Sequence, residues 1–397
     1  MVKMRRISAN YIYTVNTLPL KNCIVELDDT GKVLNIIDTQ GDLKESRNLE
    51  FYNGIITPGF INTHCHLELS ELKGLLKQNS GLPGFLAKII KYKQETHDQN
   101  SLKAIEGYDR FMRQKGIVAV GDIANTNRTI HTKKKSKIYY HTFVEAIGLA
   151  SNSEEIFQRN KSLFEEFLTN NLSASIVPHA TYSVSKDLFL KLKKFSESQN
   201  SILSIHNQET ESENQMFKNK SGDLANTLQK IGIDLKQWKS KGKNSIQSVS
   251  EYLPANNNVL FVHNTFSTID DILWVNRNFP HAYWCLCPNS NLYIENKLPD
   301  IKLFYPYSDQ ITIGTDSLAS NTTLSVLDEM KTITNAFKNI EFIKLIQWAT
   351  LNGAKALKID DKFGSIEIGK SPGLNLITNF NFEKKQLTQN SEIKVLV

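Results

Sequence analysis

Residues 59–70 read GFINTHCHLELS and continue the apolar run GIITP at 54–58. Side chains on an extended chain alternate faces, so His64 and His66 project from one side while Cys65 projects from the other. Two neighbouring imidazoles chelate a cation with little rearrangement, provided they stay neutral. Taken alone, the HxH pattern serves two structural histidines equally well. The rest of the chain has to decide.

A short β-prone run that ends in polar or histidine-bearing residues, followed by an amphipathic stretch, recurs along the sequence. After 54–64 come GIVAVGDI at 116–123, IYYHTFVEAIG at 138–148, SASIVPHA at 173–180 and SILSIHNQE at 201–209. NVLFVHNT at 258–265, HAYWCLCPNSN at 281–291 and QITIGTDS at 310–317 complete the series. Helix-like segments such as NSLKAIEGYDRFMRQK and DLFLKLKKFSES lie between them. Eight such units predict an α/β fold, a (β/α)₈ TIM barrel over 57–358 with functional side chains at the C-terminal ends of its strands. An open doubly wound sheet shares this alternation, but no glycine-rich dinucleotide fingerprint follows the first strand. Residues 1–56 and 359–397 read as short strands and turns, with LDDTGKV at 27–33 as a hairpin, and EFIKLIQWATLNGAKAL at 341–357 reads as one helix. Neither end can bury a core alone, so the two are expected to form one small composite β-sandwich domain. The intervals 65–115 and 210–257 exceed a simple crossover. They are candidates for pocket walls or lids, or for peripheral elaboration.

Composition narrows the function classes. Hydrophobic residues at 40% and charged residues at 22% supply a full core. No apolar stretch approaches the length of a membrane span, and MVKMRRISANYIYTV lacks the apolar centre of a signal peptide. Four cysteines, at 23, 65, 285 and 287, make no disulfide framework in 397 residues, which favours a reducing, cytoplasmic setting. The net charge of +6 comes from lysines without interleaved aromatics, so nucleic acid is not an expected partner. HTKKKSK at 131–137 reads as a solvated approach to the strand after it. The peripheral helices of a barrel leave a homodimer open.

His206 closes SILSIH, His263 closes NVLFVH and Asp316 closes QITIGTD. In a barrel these distant ends meet at one mouth. Three imidazoles and a carboxylate, from His64, His66, His206 and Asp316, suit one borderline divalent ion such as Zn²⁺, with Fe²⁺ as the other candidate. The ion lowers the pKa of a bound water and supplies hydroxide near neutral pH. A closed structural site is the alternative, which the strand-end location disfavours. Glu209, three residues after His206, is placed to shuttle a proton, His263 to orient the attacking oxygen, and Asp316 to take a proton while staying near the metal.

GFINTHCHLELS, HNQE at 206–209, FVHN at 261–264 and IGTDSLASN at 313–321 together resemble the amidohydrolase superfamily. They are most similar to its mononuclear deaminase and chlorohydrolase branch, which includes guanine, S-adenosylhomocysteine and aminofutalosine deaminases. CPNSN at 287–291 and the tail GSIEIGKSPGLNLI share its habits. The resemblance implies that His64, His66, His206 and Asp316 are ligands and that Glu209 and His263 are catalytic. It also implies hydroxide attack on an amine-bearing ring carbon with release of ammonia. Departures are informative: the fourth run ends VPHA without the lysine that bridges two metals in binuclear relatives. Gly373 and Asn375 stand where the family often has an Ala-Asp pair, and Asn264 stands where a cysteine is common. The CLC at 285–287 reads as buried small side chains rather than a second zinc site.

Glu68 and His179 are expected to face the cavity and, with Tyr182, Asn289, Asn291 and Ser317, to contact the substrate. The substrate class implied is a small heterocycle, an aminopurine or purine-nucleoside-like compound, aminofutalosine-like ones included. Two alternatives remain. One keeps the metal site but expels chloride or an alkylamine from an s-triazine or pyrimidine ring. The other is a catalytically silent barrel that acts as a binding protein.

Overall fold

The computed structural model describes residues 4–45, 48–93, 98–149, 152–233, 235 and 239–397; Trp238, in the second long interval, lies outside them. The chain opens with β1 (Arg5–Ile12), β2 (Leu20–Lys21), β3 (Ile24–Leu27), β4 (Val33–Ile37) and β5 (Leu49–Pro58). The β3–β4 hairpin turns where LDDTGKV predicts it, because Asp28 Oδ1 accepts from the amides of Thr30 and Lys32, both at 2.9 Å.

Eight parallel strands follow. β6 (Phe60–Cys65), β7 (Ile117–Ala124), β8 (Tyr139–Ala146) and β9 (Ser173–Pro178) form one sheet in that order. β10 (Leu203–Asn207), β11 (Val259–His263), β12 (Ala282–Leu286) and β13 (Ile311–Ile313) form a second. Most are buried along their whole length, as strands covered on both faces must be, which is why they read as continuous apolar runs. At one seam Cys65 bridges Asp316 in parallel, with the amides of Thr315 and Asp316 both 3.0 Å from His64 O. At the other, Ala180 bridges His206, whose amide lies 2.9 Å from His179 O. Finally β14 (Leu374–Thr378) and β15 (Glu392–Val395) return to the first five strands, giving a mixed sheet ordered β15-β14-β5-β1-β3-β4 with β2 on β1.

The structure corrects three local expectations. The run 54–64 is two strands, not one: β5 belongs to the mixed sheet and β6 to the parallel one. They part at Gly59, whose amide reaches Pro372 O and Gly373 O at 3.1 and 3.2 Å. A Cβ at Gly59 would lie 2.3 Å from Val118 Cγ1, so only glycine lets the chain pass between the two sheets here. Residues 341–357 are two helices, Phe342–Ala349 and Leu351–Ala356, broken at Thr350 (φ −135°, ψ −88°). Third, HTKKKSK is not solvated throughout. It forms a helix, Ile130–Lys135, that leaves Lys134 and Lys135 exposed but buries Lys133. The Lys133 ammonium lies 2.6 Å from Asp122 Oδ2 with both side chains fully buried, and it donates to Thr142 Oγ1 at 2.9 Å.

The departures in the tail have structural counterparts. Gly373 adopts φ +68°, and buried Asn375 donates to Gly116 O at 2.8 Å, tying β14 to the turn before β7. All four cysteines are buried and unpaired. Cys285 and Cys287 pack against Gly314, where a Cβ would meet both sulfurs and His64 Cβ within 3.0 Å. No helix among the described residues is long and apolar enough to cross a membrane.

Candidate metal centre and pocket

His64 sits at the end of β6 and His66 one residue past it, and their Nε2 atoms approach to 3.1 Å. His206, from β10, brings its Nε2 to 3.3 Å from that of His66. Asp316, just after β13, places Oδ1 3.3 Å from His66 Nε2 and 3.6 Å from His64 Nε2. Ligand atoms held about 2.1 Å from a shared ion at tetrahedral angles lie about 3.4 Å apart. The four atoms therefore match a single-ion site of the zinc type in both chemistry and spacing. Nitrogens this close share either a proton or a cation.

Neighbouring groups fix the charge states this site needs. His206 Nδ1 donates to His179 O at 2.7 Å, leaving Nε2 bare toward the centre. Burial pushes His64 down to about 4 and holds His66 well below the ordinary imidazole value, so both are neutral at physiological pH. Burial works against the charge on Asp316, but the surrounding histidines outweigh it and hold its carboxyl well below the usual range. Its Oδ2 accepts from Ser290 Oγ (2.6 Å) and Ser320 Oγ (2.5 Å), which turns Oδ1 to the histidines. Asp316 (φ 56°) and His263 (φ 74°) both adopt left-handed backbone, strain of the kind that strand ends at functional sites hold in place.

Two further groups stand beside this cluster. His263 offers a ring nitrogen within 4.8 Å of ligand atoms of His64, His206 and Asp316. Its Nδ1 is bonded to Asn291 Oδ1 at 2.9 Å, and its Nε2 faces Glu209 Oε1 at 3.7 Å. Burial drives the Glu209 carboxyl well above its ordinary value, with His206 opposing the rise and Asp316 adding to it. Glu213 holds the Glu209 amide at 3.2 Å and that of Gln208 at 3.0 Å, fixing the chain as it leaves β10.

The cluster forms the floor of a cavity of about 260 Å³. One wall comes from the helix Gly81–Lys93, whose Leu82, Phe85, Leu86, Ile89 and Ile90 recur at helical spacing on a single face. More wall comes from Leu224, Thr227, Leu228 and Ile231 at the same spacing, from the helix Asp223–Lys230 and the residue after it, which packs against the first helix. Both long intervals thus supply pocket wall. Of the residues expected to contact substrate, His179, Tyr182 and Ser317 line this cavity. Glu68, Asn289 and Asn291 do not. Glu68 spends both oxygens on the loop after β7, accepting from the amides of Asn125 and Thr126 at 3.0 Å. Asn289 is bonded to Glu329 and Thr332, and Asn291 orients His263.

Among the lining residues that escaped the sequence reading, one is charged. Glu145, on β8, lies 5% exposed in the pocket wall beside Asn125. Its Oε2 accepts from Asn125 Nδ2 at 2.9 Å, and its Oε1 stands 4.0 Å from His179 Nε2 and 3.8 Å from His206 Nδ1. Burial opposes its charge, but His179, His206 and His66 together pull its pKa down to about 2, so it is a carboxylate. The available signal was a charged residue inside the apolar run FVEAIG.

The model of the amidohydrolase family matches residues 55–394 of this chain. An adenosine deaminase of Helicobacter pylori is 27% identical over 406 residues, covering 98% of this chain and 95% of the relative. An aminodeoxyfutalosine deaminase of a Nitratiruptor species is 27% identical over 340 residues, covering 82% and 79%. Among solved structures, the Helicobacter pylori aminofutalosine deaminase in complex with methylthio-coformycin superposes with a TM-score of 0.80 at 25% identity, over 96% of this chain and 94% of that one.

Proposed function

Because the chain belongs to the amidohydrolase family, we propose that it removes an exocyclic amine from a purine or purine-nucleoside-like heterocycle as ammonia, using one divalent metal ion. The observation that carries this reading is the convergence of three Nε2 atoms and one carboxylate oxygen beside a buried carboxyl group whose proton is held well above the ordinary carboxyl value. In it His64, His66, His206 and Asp316 hold the ion, with Zn²⁺ the best match to three nitrogens and one oxygen. The ion, when bound, supplies Lewis acidity that makes a water nucleophilic near neutral pH.

The remaining work falls to the chain itself. Glu209 gives its proton to the ring nitrogen next to the amine-bearing carbon, which makes that carbon electrophilic. Once deprotonated, the same carboxylate takes one proton from the incoming water and passes it to the departing amine, and the remaining hydroxyl proton returns to Glu209 as the carbonyl forms. Water and the amine thereby become ring carbonyl and ammonia. His263, with its tautomer set by Asn291, points Nε2 at the oxygen that attacks. His179, Tyr182 and Ser317 contact the substrate from the pocket wall, and the two apolar helical faces exclude water around it.

The same reading extends to the scaffold. The single bridges at both seams of the parallel sheets support a closed (β/α)₈ barrel over residues 57–358. The mixed sheet built from both chain ends supports a composite β-sandwich domain of 1–56 and 359–397. Four free cysteines favour a reducing, cytoplasmic setting. Ammonia release from a panel of aminopurines, adenosine, 5′-substituted adenosines and chloro- and alkylamino-triazines tests the assignment. Release from the purine compounds supports it, and turnover of the triazines alone overturns it.

A further inference from the structure

The two hydroxyls that turn Asp316 come from different segments. Ser290 belongs to the helix Pro288–Glu295 that follows β12, and Ser320 to the loop that follows β13. The Ser320 hydroxyl lies 2.5 Å from Asp316 Oδ2 and 3.3 Å from Ser317 O, so its proton goes to the carboxylate. Each serine has an asparagine beside it in the sequence, Asn289 before Ser290 and Asn321 after Ser320. Both asparagines meet one fully buried side chain, Glu329, in the first turn of the helix Val326–Ala336. Glu329 Oε2 accepts from the Asn289 amide at 2.8 Å. Its Oε1 accepts from Asn289 Nδ2 at 3.0 Å and from Asn321 Nδ2 at 2.8 Å. Burial lifts the Glu329 pKa to about 8, and these three bonds oppose the rise because they favour the ionised form.

The same helix and loop hold their neighbours too. Thr332, on the face of Glu329, donates to Asn289 Oδ1 at 2.6 Å. Asn321 Nδ2 also donates to Thr315 O at 2.8 Å, the carbonyl just before Asp316. The left-handed backbone of Asp316 persists because bonds of this kind over-determine it. A carboxylate that merely filled the core could draw its donors from any neighbour. These donors sit on the two segments whose adjoining residues grip one oxygen of Asp316. We infer that Glu329 is a positioning residue for the metal centre. It fixes Ser290 and Ser320 relative to each other, and through them the direction in which Asp316 presents Oδ1. Glu329 itself does not line the cavity. The inference rests on the reading of Asp316 as a ligand.

Competitive zinc titration of the metal-free full chain tests it, at about pH 8.5, above the Glu329 pKa of about 8. The proteins are wild type, Glu329→Gln, Ser290→Ala with Ser320→Ala, and all three changes together, with the thermal midpoint of each as a control on folding. Glutamine keeps the volume but turns an N–H toward groups that donate. The paired serine changes and Glu329→Gln should each weaken zinc about tenfold, as when outer partners of a ligand are lost. With the serines already gone, Glu329→Gln should change zinc affinity by less than about twofold, because the two act along one route. Where Glu329→Gln does not fold, Glu329→Asp, which withdraws the carboxylate by one methylene, carries the same comparison. Losses that multiply in the combined variant overturn the inference. So does a Glu329 variant with a lower thermal midpoint and wild-type zinc affinity, which is the mark of packing alone. A wild type that binds no zinc overturns the metal reading and this inference with it.

Discussion

Replacing Lys133 by Met probes a buried ion pair that the fold sets behind the metal centre. The Lys133 ammonium lies 2.6 Å from Asp122 Oδ2, donates to Thr142 and sits 5.3 and 5.1 Å from the ring centroids of Tyr140 and Phe167. Burial lifts the Asp122 pKa, and Lys133 is the group that most strongly opposes that rise. Lys133→Met fills the space but leaves a carboxylate in an apolar interior, a change that costs about 3–5 kcal/mol. With an unfolding entropy of about 2.1 cal/mol/K per residue, 4 kcal/mol lowers the Tm of a chain this size by about 5 °C. Asp122 Oδ1 also accepts from Leu67 N at 2.8 Å, the residue after His66, so the damage should reach the site. Zinc affinity should fall about tenfold or more, as when an outer partner of a ligand is lost. Thermal unfolding and competitive zinc titration of wild type, Lys133→Met, Lys134→Met and Lys133→Met with Asp122→Asn measure both effects. Adding Asp122→Asn should restore much of the loss, because an amide oxygen still accepts from Leu67 and no charge is stranded. A Lys133→Met protein as stable as the exposed Lys134→Met control would refute the reasoning.

Other perturbations separate roles elsewhere in the chain. Glu209→Gln should lower kcat by about 10² to 10⁴ while retaining one bound metal, measured by ammonia release and elemental analysis; loss of the metal would move Glu209 into the ligand set. Asn291→Leu frees the His263 ring and should lower kcat about tenfold with little change in KM. His141 is fully buried, with Nδ1 2.8 Å from Ser173 Oγ and Nε2 3.0 Å from Ser175 Oγ, and burial drops its pKa to about 3. The unfolded chain protonates this imidazole near 6.5 while the fold refuses the proton until about 3, so its stabilisation is complete above 6.5 and erodes as pH falls. By pH 4 the loss is about 3 kcal/mol, so the change in unfolding free energy between pH 7 and 4 should shrink by that amount in His141→Gln. Asn375→Ala should cost only about 1 kcal/mol, because the Gly116 carbonyl keeps its 2.8 Å bond from the Phe60 amide, and a Tm equal to wild type would show that the contact contributes nothing.

How much of this was legible depends on whether the cause is local. The eight parallel strands were readable because burial on both faces makes each a continuous apolar run, and His206, His263 and Asp316 marked where those runs end. The division at Gly59 left no such trace, since an apolar residue pairs equally well in either sheet. Nor can the apolar pattern of 341–357 show the break at Thr350. The fate of Lys133 was hidden for a different reason: its counter-ion is eleven residues away on β7, and a lysine run looks the same whether or not one member turns inward. Glu68 kept its place beside the HxH but found backbone amides 57 and 58 residues further on, a pairing only the fold creates. The pocket walls, by contrast, were written at helical spacing in both long intervals; what the pattern lacked was the direction each helix faces.

Zinc-edge X-ray absorption on the metal-loaded protein, combined with metal stoichiometry, addresses the coordination claim most directly. One zinc per chain is expected, with three imidazole nitrogens and carboxylate or water oxygens at about 2.0–2.2 Å, and with the imidazole contribution reduced in His206→Ala. A sulfur in the shell, a second metal scatterer, or a stoichiometry indifferent to His64→Ala and Asp316→Ala together would contradict it.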